Sequence, residues 1–272
     1  MANEAGQEIR VPIRHDLGEA KELGPNAVYP DRMEITILPK ARQIVVAERW
    51  FVRLATRKDH VYGNTQSDIR DEAVINNYFA QFREAALHQW NGKLQLLATE
   101  KGHQSVTYDL VFMIERTRDW QSRHWEIVLQ LYNKDYAHGH GVDSTNWTTG
   151  TIELHMNSAA LRNIDLDIKI KKMQTYKGVL SKTPGKVHGR QTPVAHEFGH
   201  TLGLSPGLAY HADEYHKTEY WEGEIRQGVH RSVMNIGNQI ETKHADYIVS
   251  QLNRYYASLR NNSVEFSARR RK

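Results

Sequence analysis

The chain has 272 residues, 39% of them hydrophobic and 25% charged, with a formal net charge of +4 and a sequence pI near 9.1. This is the balance of an ordinary globular protein with apolar residues enough for a sizeable core, and length alone allows one large domain or one domain with appendages. The absence of cysteine excludes disulfides, thiolate metal ligands and any latency switch built on a thiolate.

No apolar run approaches a membrane span, and Met1–Arg10 lacks the basic-then-apolar pattern of a signal peptide. A protein made in a reducing cytosol is therefore expected, with export by a dedicated machine as the alternative. Residues 1–32 are polar and carry Pro12, Pro25 and Pro30, which predicts an extended N-terminal arm. Met33–Leu38 alternates as a strand does, and Gln43–Leu54 holds a β-branched and aromatic run. Next, Ser67 is a candidate N-cap for a helix whose apolar stripe is Ile75, Phe79, Phe82, Ala86 and Trp90, stopping at Asn91-Gly92.

Strands are expected at Lys93–Ala98, Val106–Ile114, Trp125–Tyr132 and Thr151–Met156. The segment between the last two contains His138-Gly139-His140-Gly141-Val142-Asp143 and reads as a polar loop. Residues 157–191 show no clear pattern. Thr192-Pro193 then places an N-cap before a proline at the first helical position, and Gly203 is the expected left-handed terminator. Residues 204–241 look irregular. A final helix over Thr242–Leu259 puts Ala245, Ile248, Val249, Leu252, Tyr255, Tyr256 and Leu259 on one face, with His244 packing or capping at its start. Arg269-Arg270-Arg271-Lys272 reads as a solvated basic tail, residues 261–272, following a domain over 33–260.

The chemistry concentrates in Val194–Leu204, whose centre is His196-Glu197-Phe198-Gly199-His200. On a helix, residues four apart share a face, so His196 and His200 present two imidazole nitrogens to one zinc ion. Glu197 stands beside them and is the candidate general base for a water attacking a carbonyl. A glutamate at that position has no purpose in a closed structural zinc site, so the pattern points to catalysis.

His196–Gly203 resembles the start of the metzincin signature, and Ser232-Val233-Met234-Asn235 resembles the Met-turn of that clan. The likeness is to bacterial zinc metallopeptidase domains reading His-Glu-Phe-Gly-His, Asp-Glu-Tyr and Ser-Ile-Met-Asn in succession, some of them toxins or secreted effectors. It implies an α+β fold with a mixed twisted sheet, an active-site helix, Met234 packed beneath the ligands and a C-terminal helix. It also implies a zinc endopeptidase that takes protein or peptide substrate as an extended strand along an edge formed by Thr151–Met156.

The signature's third ligand position falls on Pro206, which cannot bind metal. An insertion before Asp213-Glu214-Tyr215 makes Asp213 the third ligand, with His211 the competing choice and His216 behind both. The resemblance makes Tyr215 a candidate oxyanion donor, as a tyrosine is in some metzincins, but the position two after Met234, where some families keep that tyrosine, is Ile236 and departs from the pattern. The His138/His140 loop with His155 also has a likeness to the structural-zinc loop of matrix-type metzincins.

Three rivals stand beside this reading. A gluzincin arrangement would recruit Glu219, Glu222 or Glu224. A DNA-associated zinc protease would use the basic balance, although no aromatic and basic residues interleave as in a nucleic-acid module. The third is a zinc-stabilised binding protein without turnover.

Overall fold

The structure, a computed structural model, describes residues 7–13, 32–57, 65–69, 72–131, 144–146, 150–155, 164–169, 186–203, 232–234, 238–259 and 263–271. Strands β1 (Ile9–Val11), β2 (Glu34–Leu38), β3 (Gln43–Arg57) and β4 (Thr65–Ile69) precede helix α1 (Glu72–Trp90). After it come β5 (Leu94–Glu100), β6 (Val106–Arg116), β7 (Trp125–Leu131), β8 (Ser144–Asn146) and β9 (Thr151–His155). A hairpin of β10 (Ile164–Lys169) and β11 (Lys186–Gln191) leads into α2 (Pro193–Thr201); α3 (Asp246–Ser258) and β12 (Val264–Arg270) close the chain.

The described strands other than the hairpin form one curled mixed sheet in the order β12-β5-β6-β3-β7-β9-β8. The long β3 is its hub. It pairs in parallel with β6 through Gln43–Trp50 and with β7 through Trp50–Thr56, while β2 and β4 add antiparallel. Because facing residues in a ladder share a face, the register puts Phe266, Leu96, Leu110, Phe112, Ile44, Val46, Trp50, Ile127 and Ile152 on one side. All are buried, and this is the side on which the helices pack. The fold is therefore α+β, with one apolar sheet face covered by helices.

The stripe expected on α1 is the one that is buried: Ile75, Phe79, Phe82, Ala86 and Trp90. The helix stops at Trp90, and Gly92 follows with φ 72°. Its start differs from the expectation. Ser67 is not a cap but lies within β4, which pairs with the end of β3, so strand pairing outranks the local capping preference. The strands expected at Lys93–Ala98, Val106–Ile114 and Trp125–Tyr132 appear as β5, β6 and β7.

Three further expectations change. Within the 1–32 segment, Ile9–Val11 pairs antiparallel with β2 and Val11 is buried, while the buried Arg32 donates to the His124 carbonyl at 3.0 Å and lies over the Trp125 ring. The segment expected to be a free basic tail instead forms a strand over Val264–Arg270. In β12, Val264 and Phe266 face the core, alternating with exposed Glu265 and Ser267, and the strand pairs antiparallel with the whole of β5. The arginines that suggested a tail occupy its solvent end. Finally, β9 is not a sheet edge, because β8 pairs antiparallel with Thr151–Glu153.

Two asparagine side chains close backbone positions that, on one side, lack a strand partner among the described residues. Asn91 bonds both the N–H and the C=O of Phe112 in β6, at 2.7 and 3.1 Å. Asn253 does the same for Phe266 in β12, at 2.6 and 3.1 Å. Each amide imitates a neighbouring strand and blunts an edge open to non-native pairing.

Candidate metal centre

Helix α2 begins as the sequence implies. Thr192 is its N-cap with extended backbone (φ −95°) and Pro193 its first residue, where a missing N–H costs nothing. The Thr192 side chain makes no capping bond, so the cap acts through the backbone. All of Pro193–Gly199 is buried, which is unusual for so polar a segment. Phe198 explains it. Its ring sits among Trp50, Trp90 and Phe112, with centroids 6.2, 5.8 and 5.8 Å away, and Trp90 Nε1–H donates to the Ala195 carbonyl at 2.8 Å. The aromatic cluster thus fixes the helix in both rotation and height.

With Phe198 turned inward, His196 and His200 point away from it together. Their Nε2 atoms lie 3.2 Å apart. The donor atoms of His196, Glu197 and His200 all fall within 4.8 Å of one another, a grouping that can hold a metal ion. His196 Nδ1 is 2.7 Å from the Val233 carbonyl. A carbonyl only accepts, so the ring proton is on Nδ1 and the Nε2 lone pair faces His200. Two nitrogens at zinc distances of about 2.0–2.1 Å from one ion, at a tetrahedral angle, stand roughly 3.3 Å apart. The observed separation fits that donor set.

Glu197 is buried, and its Oε2 accepts from Thr145 Oγ1 at 2.7 Å. Thr145 comes from β8, so the strand that covers β9 also anchors the carboxylate beside the two imidazoles. Sequence reasoning passed over Thr145, which lies in a short strand with no pattern of its own. Ser232–Met234 forms a tight turn held by a parallel bridge between Ser232 and Gln239, by Val233 N–H to the Gln239 carbonyl at 2.9 Å, and by Met234 N–H to Ser232 Oγ at 3.2 Å.

His244 takes the packing and capping role expected of it. Its Nδ1 accepts from the Glu241 N–H at 3.0 Å, its Nε2 meets Ser232 Oγ at 3.2 Å, and its ring lies 5.7 Å from that of Trp90. Helix α3 follows a 3₁₀ turn over Thr242–Ala245. Its buried side includes Tyr247 and Gln251 as well as Ile248, Leu252 and Tyr256, while Leu259 is exposed. Gly203 has φ 148°, an extended glycine conformation rather than the left-handed helical one, and a Cβ there would run into the Tyr247 side chain.

Met234 is buried against Gly199, between the two histidines of the motif. A Cβ on residue 199 would overlap the Met234 sulfur and lie 2.8 Å from Trp90 Cζ2. Gly199→Ala should therefore be destabilising: its gain of about 1 kcal/mol in helix propensity is outweighed by about 1–3 kcal/mol of overpacking. Met234→Ala should cost less in the Gly199→Ala background than in the wild type, as measured by a urea double-mutant cycle. Additive effects would mean that Met234 does not pack there.

Asp213, His211, His216 and Tyr215 lie outside the described residues, as do Ile236, Glu219, Glu222, Glu224, His138 and His140; the backbone of His155 is described but not its side chain. The structure thus assembles His196, Glu197, His200 and Met234 and leaves the third ligand at Asp213 or His211 as a sequence expectation. No protein-family model matches the chain, and neither a curated protein nor a solved structure matches it.

Proposed function

We propose that the chain is a zinc endopeptidase of metzincin-like architecture, hydrolysing peptide bonds in flexible protein segments. The observation that carries this reading is the convergence of His196, Glu197 and His200, with His196 in the tautomer that offers Nε2 to a cation. His196 and His200 would hold the zinc, with Asp213 or His211 as the third protein ligand. Zinc in such a site supplies Lewis acidity, activating a water and polarising a carbonyl.

The chain's own residues do the rest. The Thr145 hydroxyl donates to Glu197 Oε2 and orients the carboxylate that would take a proton from the attacking water. The Val233 carbonyl fixes the ring plane and tautomer of His196. An extended peptide would align along β8, the outermost strand of the sheet order at this end among the described residues, close to Glu197. The sequence likeness to toxin and effector domains supports a bacterial effector role within the same proposal.

Zinc removal tests the reading. The purified protein should contain about one zinc per chain. Dialysis against a chelator should abolish cleavage of an unstructured quenched-fluorescence peptide library, and added Zn²⁺ should restore it. A chain that takes up zinc stoichiometrically yet cleaves no member of the library is not a peptidase of this kind.

A further inference from the structure

On the core face of β3, the residues Ile44, Val46, Trp50, Val52 and Leu54 are apolar, and Glu48 stands among them with no exposed surface. Its two oxygens have separate partners. Trp50 Nε1–H donates to Oε2 at 2.8 Å, and Thr201 Oγ1 lies 2.6 Å from Oε1. The same Thr201 oxygen lies 2.6 Å from the Phe198 carbonyl.

Two oxygen–oxygen contacts at 2.6 Å are each of normal hydrogen-bond length and each needs a proton between its atoms. The threonine hydroxyl supplies one and a carbonyl supplies none. A proton on Glu48 supplies the second. A neutral acid then donates from Oε1 to Thr201, Thr201 donates to the Phe198 carbonyl, and Oε2 accepts from Trp50, so that each group is satisfied.

We propose that Glu48 is a positioning residue, a carboxylic acid kept protonated at neutral pH, which closes the C-terminal turn of α2 through Thr201 and so sets the place of His200. The Phe198 carbonyl belongs to the last turn of a nine-residue helix, where intrahelical donors run out. His200 lies between Phe198 and Thr201, inside the turn that the relay spans. The positioning role rests on the metal reading above, whereas the protonation state stands without it. Burial, with no charged neighbour contributing, raises the Glu48 carboxyl to about 8. From β6 the facing residue is Ile114, on its own strand the partner is Trp50, and from α2 it is Thr201, with His200 the adjacent titratable group.

The folded pKa lies above the unfolded value near 4.5, so the stabilisation is complete below that value and is lost as pH rises through about 8. Glu48→Gln copies the neutral acid, donating from its amide to Thr201 and accepting from Trp50.

Three measurements test the proposal. In metal-free protein at pH 7, the infrared difference spectrum between wild type and Glu48→Gln should show a protonated carboxylic acid C=O band; a carboxylate signature in its place overturns the proposal. Between pH 5 and 8 the wild-type unfolding constant should rise, relative to that of Glu48→Gln, by up to about tenfold per pH unit. Parallel profiles also overturn it. Zinc titration should give Glu48→Gln an affinity within a few-fold of wild type and Thr201→Val about 10–100-fold weaker binding. Unchanged affinity in Thr201→Val removes the positioning role. A wild type that takes up no zinc instead overturns the proposed function, with the infrared and pH results still deciding the state of Glu48.

Discussion

Glu197→Gln should keep its fold and its zinc while hydrolysing peptide about 10²–10⁴-fold more slowly than wild type, the usual contribution of a general base. The substitution is nearly isosteric at a buried position, and the amide oxygen can still accept the Thr145 hydroxyl that now meets Oε2 at 2.7 Å. What it removes is the second oxygen's ability to take a proton. Zinc content, thermal unfolding and steady-state kinetics on one peptide therefore separate the roles. Intact metal binding with lost turnover assigns Glu197 to chemistry. Equal, measurable turnover in wild type and variant would remove Glu197 from the chemistry, because water could then be activated without this carboxylate, and cleavage by neither would return the chain to the class of zinc-stabilised binding proteins.

The parts of the fold that were legible in the sequence are those written by local periodicity. The five apolar residues of α1 sit at helical spacing, and they are the ones buried. Thr192-Pro193 marks the start of α2 because a proline at that point costs no hydrogen bond. His196 and His200 meet because residues four apart share a helix face.

What escaped is what depends on distant partners. Ser67 looks like a cap in isolation, but Thr65–Ile69 pairs with the end of β3. Val264–Arg270 has the arginine-rich composition of a solvated tail, yet it alternates as a strand should, and Val264 and Phe266 complete the sheet against β5. Thr145 has no local signature and reaches Glu197 only through tertiary packing. Glu48 did leave a signal: it is the one charged residue in the inward-facing series from Ile44 to Leu54. A carboxylate at such a position requires either a buried partner charge or a proton.

The two histidines should not be equivalent when removed, and the difference is set by their surroundings. His196→Ala and His200→Ala should each abolish tight zinc binding, since a single remaining imidazole with Asp213 or His211 cannot close the site. His196→Ala should also destabilise the metal-free protein more than His200→Ala does. His196 is buried, and its Nδ1–H bonds the Val233 carbonyl in the turn that precedes Met234, so its loss removes that bond and opens a space under the turn. A buried acceptor that loses its donor costs about 1–3 kcal/mol. His200 is half-buried, and its ring leans edge-on toward that of His196, with centroids 4.8 Å apart. Its removal should cost the metal-free protein less than the loss of His196 does, because a half-buried ring leaves a smaller space behind. Urea unfolding of both variants in chelator, set beside zinc titrations of each, reads the two effects separately. Equal destabilisation by the two substitutions would mean that the Val233 bond does not hold the turn, and the account of how Ser232–Met234 supports the metal ligands would have to be abandoned.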